Sequence, residues 1–415
     1  MQLMAMERTS SHSSKDPSAK FLVSDRLTPV KKSAIRKFIE LASKSKGAVH
    51  FEHGEPSFTT PDHIIEASIK AMKEGFTHYG PTPGLAELRE SIYEKLTREN
   101  RIPLADPGEI LVVSGTQEAM FLAGMAFLQT GDEALVLDPY YPAYFEVTLI
   151  AGAKPVEVPL SEENHYRIET DHLDRYVTPR TKALWLNSPA NPTGHVFSKS
   201  DLEAVATVAE RNNLLVFADE IYEKLLFDGT EHVSIGSLPA MEDRVITING
   251  FSKSYAMAGW RVGYVAAEKN LIDQMSKLHY YTVLCASTIA QKAALAALTG
   301  PQDCVREMVR EYERRRSIVL QGLGEIAGIS YLPPKGAFYV FPNISKVTRD
   351  DEAIAERLLT EYSVATVPGS GFGRAGIGHL RISYSAPMKE VEEGMNRFRK
   401  AFHDLTPHQA PENCR

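Results

Sequence analysis

Six short apolar runs punctuate the middle of the chain: residues 110–113, 134–137, 155–158, 183–186, 214–218 and 245–248, none with polar alternation. Runs this short, set between helical patterns, predict strands buried on both faces, as a mainly parallel sheet flanked by helices requires. Helical spacing marks residues 27–45, where Ile35, Phe38, Ile39, Leu41 and Ala42 recur on one side, then 85–100 and the segment from Gln117 to 128. Thr60, just before Pro61, reads as the cap of a helix running to Lys73. A long charged helix is expected over 303–325, with Val305, Met308, Val309, Tyr312, Val319 and Leu323 on its apolar stripe. Its basic run, 314–316, reads as a solvated stretch. Beyond Ile329, strands at 338–341, 365–367 and 379–383 alternate with helices near 352–361 and 388–404.

The fold class expected is α/β: a large domain with a mainly parallel, mixed sheet flanked by helices, plus a smaller α+β domain built from the N- and C-terminal parts. Residues 1–20 read as a disordered extension, 21–61 as the first part of the small domain, 62–300 as the large domain, and 301–415 as an interdomain helix with the rest of the small domain.

Composition narrows the function. A chain of 415 residues exceeds one ordinary core, and 43% apolar with 24% charged residues is ordinary for a globular protein. A net charge of -7 argues against a nucleic-acid partner. Cys285, Cys304 and Cys414 have neither pairing nor metal-type spacing, so a reducing compartment and no metal site are expected. No apolar run is long enough to span a bilayer. The Ser-rich start lacks a secretory stretch, and Glu7 and Asp16 argue against a transit peptide, so the expected location is cytoplasmic.

In parallel sheets, ligands gather beyond the carboxyl ends of the strands. The run 245–248 leads to Gly250, Ser252, Lys253 and Ser254, with Arg261 eight positions past the lysine. An amine among small residues at a buried strand end can sit in a cleft that depresses its pKa and can form a Schiff base; a lysine in a surface turn is the plainer alternative. The run 110–113 opens into Ser114, Gly115, Thr116 and Gln117 ahead of a helix, which suits a phosphate or is merely a cap. Tyr141, fixed by Pro142, can stack on a planar ring or fill the core. Pro192 and Gly194 aim the amide of Asn191. Asp219 and Tyr222, about one helical turn apart, can face one space.

One organic cofactor, pyridoxal 5'-phosphate, meets these demands together: a lysine, a carboxylate for its ring nitrogen, donors to its phenolate oxygen, an aromatic on its face and an anion site. The sequence resembles the fold-type I pyridoxal-phosphate enzymes, specifically the class I aminotransferases related to aspartate and aromatic aminotransferases. The likeness spans residues 27–405. It rests on Asn-Pro-Thr-Gly at 191–194, Asp-Glu-Ile-Tyr at 219–222, Ser-Lys at 252–253, Gly-Trp-Arg-Val-Gly-Tyr at 259–264 and Leu-Arg-Ile-Ser-Tyr at 380–384, in the family's order.

The resemblance implies that Lys253 binds the cofactor and moves the substrate proton, that Asp219 faces the pyridine nitrogen, and that Tyr222 and Asn191 donate to the phenolate oxygen. It places Gly115, Thr116, Gln117, Ser252 and Arg261 around the phosphate and Tyr141 on the ring. Tyr79 matches a tyrosine that reaches the neighbouring subunit's phosphate, which implies a homodimer with composite sites, and Ser287 matches a residue near that junction. Arg381 matches the arginine for the substrate α-carboxylate, Gly54 a glycine over it, and Phe338 either a substrate contact or a core aromatic. Gly250 stands where some members carry a phosphate-binding serine. Thr116 stands where some relatives preferring acidic substrates have lysine, and no other basic residue for a side-chain carboxylate is evident in the sequence. The function implied is transamination between an L-amino acid and a 2-oxo acid such as 2-oxoglutarate, leaning to aromatic or neutral donors with aspartate open. The same scaffold also serves lyases, aminocyclopropane-carboxylate synthases, amino-acid oxidases and, remotely, non-catalytic ligand sensors.

Overall fold

A computed structural model describes residues 24–30 and 33–405. The expected extension at 1–20 and Cys414 lie outside the described residues. The first helix, α1 (Ala34–Ala42), starts where the Ser33 side chain accepts from the Arg36 N–H, seven residues later than the spacing suggested. It leads to β1 (Val49–His50) and α2 (Asp62–Lys73). The expected cap Thr60 does not cap α2. Its hydroxyl donates to the Ala256 carbonyl at 2.6 Å and accepts from the Trp260 indole, tying the entry loop to the turn after Lys253. Helix α3 (Ala86–Lys95) ends in a π-turn over Leu96–Asn100.

The chain then alternates strand and helix: β2 (Ile110–Val113), α4 (Thr116–Phe127), β3 (Glu133–Asp138), α5 (Pro142–Ile150), β4 (Lys154–Pro159), α6 (Thr170–Asp174), β5 (Thr181–Asn187), α7 (Lys199–Asn212), β6 (Leu215–Asp219), β7 (Val245–Gly250) and β8 (Gly263–Ala266). These strands form one seven-stranded sheet in the order β2-β8-β7-β6-β5-β3-β4. The inner strands are parallel, while β8 runs antiparallel to both β2 and β7. That strand was hidden in the sequence by its glycine-flanked motif. Strands β2, β3 and β7 are buried along their whole length, as continuous apolar runs require. The expectation fails at β4, an edge strand with only Val158 buried, although β2 at the opposite edge is buried throughout.

Helices α8 (Lys269–Val283), α9 (Thr288–Thr299) and the 22-residue α10 (Asp303–Gly324) follow. Ser287 caps α9 through the Ala290 N–H. The basic run on α10 is solvated only at Arg314: Arg315 and Arg316 are 4% and 6% exposed. Arg315 donates to Ser57 and to the Ser385 carbonyl and lies over the Phe58 ring, whereas Arg316 binds the Pro334 carbonyl and Asp228. Long guanidinium stems thus clamp the loops on both sides of the helix.

The remaining elements are β9 (Tyr339–Val340), α11 (Asp351–Tyr362), β10 (Val364–Ala365), β11 (Val367–Pro368), β12 (Leu380–Ser383) and α12 (Met388–Leu405). The single strand expected at 365–367 is two strands serving two sheets. Strand β10 pairs in parallel with β1, while β11 joins β12 and β9 in an antiparallel sheet. The β1–β10 pairing stitches the N-terminal segment to the C-terminal part of the chain. Phe51, at the exit of β1, is packed in one core with Tyr222, Tyr312, Phe338 and Phe398. Each such fully buried aromatic or aliphatic side chain stabilises by about 1.5–3 kcal/mol. The position of the segment after β1 is therefore set by a rigid core.

Candidate active site

The carboxyl ends of β2, β5, β6 and β7 and the loop after β1 converge on a cavity of about 570 Å³. Pockets of about 300–1,000 Å³ suit small organic ligands. Among the expected site residues, Gly54, Thr116, Gln117, Tyr141, Asn191, Asp219, Tyr222, Lys253, Arg261 and Arg381 line it. A larger groove of about 870 Å³ lies between α3 and the start of α10 around Lys95, Arg98 and Glu99. It contains none of these groups.

Asp219 ends β6 with its carboxylate 2% exposed. Its oxygens accept from the Tyr144 hydroxyl at 2.7 Å and the Ile221 N–H at 3.1 Å. Burial raises its pKa to about 6 against the downward pull of those two donors and of Lys253. Tyr144, fully buried and stacked on Trp185, has its hydroxyl pushed well up by burial and by Asp219 itself. Tyr144 was missed in the sequence. It lies three residues after Tyr141 at the start of α5, the same one-turn spacing that links Asp219 to Tyr222.

Lys253 follows β7, and its ammonium donates to the Gly54 carbonyl at 2.5 Å. Burial lowers its pKa to about 8, opposed by the charges of Glu55 and Asp219. Gly54 is glycine for a steric reason, since a Cβ there would stand 2.9 Å from the Tyr339 hydroxyl. The Tyr222 and Tyr339 hydroxyls are 2.9 Å apart. Tyr339 is the second residue that sequence reasoning missed, although its neighbour Phe338 was singled out. Phe338 is fully buried against Tyr222, Tyr312 and Tyr339 and does not line the cavity. Adjacent positions on a strand face opposite sides, and Tyr339 holds the cavity side.

Arg381 sits on β12 and is 1% exposed. One terminal nitrogen donates to the Glu52 carbonyl at 2.5 Å and the other to the Asn191 amide oxygen at 3.2 Å. The guanidinium lies 4.6 Å from the Tyr339 ring centre and 5.1 Å from that of Phe372. Its Nε has no partner although buried.

The N-terminus of α4 carries the groups that an anion site requires. Gly115 holds a φ of +85°, open to glycine, and a Cβ there would stand 2.5 Å from Arg261. Arg261 itself adopts φ +54°, a left-handed conformation rare for a non-glycine residue. Its guanidinium is braced by the Ala258 carbonyl at 2.9 Å. Unpaired N–H groups at a helix start, together with a guanidinium, bind phosphate. Tyr141 donates to Gln117 at 3.2 Å across the mouth of this site.

Besides Phe338, other residues singled out in the sequence do not line the cavity. Ser252 is buried but does not line the cavity. Gly250 faces β8, where a Cβ would come within 3.0 Å of Gly263, so strand pairing accounts for a glycine there. Tyr79 is 84% exposed and away from its own chain's cavity.

Comparison with known proteins agrees with this geometry. The family "Aminotransferase class I and II" matches residues 46–398. An aspartate aminotransferase of Pyrococcus abyssi is 46% identical over 385 residues, 92% of this chain and 98% of that protein. Aromatic-amino-acid aminotransferase 2 of Thermococcus litoralis is 42% identical, with 92% and 98% covered. Among solved structures, an aromatic aminotransferase from Pyrococcus horikoshii superposes with a TM-score of 0.84 at 43% identity, covering 90% of this chain and all of that one. The Thermus thermophilus aspartate aminotransferase with maleate gives 0.86 at 38% identity, covering 92% of this chain and 100% of that one. By fold and by sequence, the chain belongs to the class I and II aminotransferases.

Proposed function

We propose that the chain transfers an amino group from an L-amino acid to a 2-oxo acid, with 2-oxoglutarate as acceptor, using pyridoxal phosphate held in the cavity described above. The observation that carries this reading is the convergence of an amine, a buried carboxylate and a buried guanidinium, from Lys253, Asp219 and Arg381, on one pocket with an anion site. The cofactor fits the donor set, because Gly115 clears room at the α4 N-terminus beside Arg261 and each polar function of the cofactor finds a complementary group.

When bound, pyridoxal phosphate supplies an aldehyde that condenses with amines and a protonated ring that draws electrons from bonds to the amino acid's α-carbon. Arg261 and the α4 N–H groups hold its phosphate, Asp219 keeps a proton at the ring nitrogen, and Tyr222 and Asn191 donate to its phenolate oxygen. Burial lowers the Lys253 pKa to about 8, so more of its amine is neutral near neutral pH than in an ordinary lysine. That neutral amine is the base that takes the substrate α-proton and returns it after the electrons have moved. Arg381 grips the substrate α-carboxylate as a planar fork and so fixes the direction of the α C–H bond.

The active assembly is a homodimer in this reading. An aromatic as exposed as Tyr79 suits a role across a subunit junction rather than within its own chain. No helix among the described residues is long and apolar enough to cross a membrane. The test is spectroscopic: adding an amino acid to protein loaded with pyridoxal phosphate should shift the absorbance to that of the amine form, and an oxo acid should reverse it. Release of ammonia or peroxide without that reversal would assign the chain to the lyases or oxidases instead.

A further inference from the structure

Four cationisable side chains line the cavity: Lys253, Arg261, Arg381 and His53. The first three are engaged by the roles above. His53 is left, and the mechanism does not use it. Its place in the chain is defined on both sides, since the preceding Glu52 carbonyl accepts from Arg381 and the following Gly54 carbonyl accepts from Lys253. The imidazole therefore sits on the segment that bridges the α-carboxylate site and the reacting amine, facing Ile35 and Ile39 of α1 across the mouth.

His53 is also backed by a charge. Its Nε2 lies 3.6 Å from the Glu52 carboxylate, which is 0% exposed and also accepts from His50 at 2.8 Å. The two imidazoles stack at 4.9 Å with 19° between their planes, so the ring is held in place. A buried carboxylate requires donors; His50 supplies one at 2.8 Å, and the His53 ring lies at ion-pair distance, 3.6 Å, from the same oxygen. Nε2 is thus directed to Glu52, and Nδ1 is the nitrogen of His53 that Glu52 does not engage. The ring thus stands beside Glu52 and lines the cavity.

We propose that His53, positioned by Glu52, binds the distal carboxylate of dicarboxylic substrates, so that the chain accepts acidic amino acids and the matching oxo diacids. The inference rests on the transamination reading and names its substrate class. It also supplies the basic group that the sequence lacks at Thr116. Glu55, on the same loop, also lines the cavity, and its charge acts on Lys253.

The test uses the cofactor-loaded dimer at about pH 6.5, where an ordinary imidazole is half protonated. Single-turnover reactions with glutamate and with phenylalanine give the ratio of their specificity constants. In His53→Asn and His53→Phe this ratio should fall about tenfold or more, through a higher half-saturating concentration of glutamate. Glu52→Gln should lower the same ratio, which a purely structural defect would leave in place while slowing both donors alike. A ratio within about twofold of the parent in both His53 variants overturns the proposal. So does a parent protein that turns over phenylalanine but neither glutamate nor aspartate. A parent that converts no amino acid refutes transamination itself, a separate outcome.

Discussion

Asp219→Asn should make the cofactor-free protein more stable while disabling it. The Asp219 carboxyl titrates at about 6 in the fold against 3.8 for an ordinary aspartate, with burial the main cause. A carboxyl with a raised folded pKa destabilises the fold when charged. The cost is fully present above about pH 6, falls as pH drops through the window from 6 to 3.8, and is gone below it. At roughly 1.4 kcal/mol per unit, the cost at pH 8 is about 3 kcal/mol. Asparagine keeps an acceptor for Tyr144 and removes the charge. Urea unfolding of the cofactor-free parent and variant, measured at pH 8 and near pH 4, should show the variant ahead by about 3 kcal/mol at the first pH and level at the second. Taking the difference between the proteins cancels other titrating groups such as Asp138, whose carboxyl burial lifts to about 7. Transamination should meanwhile fall by about a hundredfold or more, because nothing then keeps the ring proton in place. A variant no more stable than the parent at pH 8, or one whose advantage persists undiminished near pH 4, would refute the reasoning.

Tyr144→Phe removes the 2.7 Å donor to Asp219. A hydrogen bond to a charged group contributes about 1.5–3 kcal/mol, so the acid limb of the activity profile should move to higher pH. Arg381→Lys retains charge but loses the fork and its seat on Tyr339 and Phe372, and KM for the amino acid should rise about 10- to 100-fold with a smaller change in kcat. Gly115→Ala places a Cβ 2.5 Å from Arg261 at a φ of +85°, so cofactor titration should show weakened binding and thermal unfolding a loss of about 1–2 kcal/mol.

The sheet and most of the site were legible in the sequence for a shared reason. Parallel strands buried on both faces must be apolar runs, and their carboxyl ends are where chemistry can sit, so Asp219 and Lys253 stand out by position. Residues whose role depends on a partner distant in sequence were not legible. Tyr144 reads as one tyrosine among several until Asp219, 75 residues away, is seen to accept from it. Arg315 and Arg316 resemble a solvated run because the carbonyls they bind belong to loops at 385 and 334. His53 gave no signal, since its meaning lies in the Arg381 and Lys253 bonds on either side of it. Strand β8 was missed because Gly263 and its neighbours carry the signature of a loop, whereas the close β7–β8 approach at Gly250 demands glycine on both strands.

These same contacts explain why the strained groups cluster. Arg261 in a left-handed conformation, a charged Asp219 below the surface and a desolvated Lys253 each cost free energy on their own. All three line one cavity, between a sheet whose inner strands are buried along their length and the aromatic core beneath β12. The cores offset the cost, and the site keeps it where a ligand can relieve it. An anion at the α4 N-terminus neutralises Arg261, and a protonated ring nitrogen pairs with Asp219. In the proposed reading each of these groups has a counterpart on pyridoxal phosphate, so binding it should stabilise the fold through the same contacts.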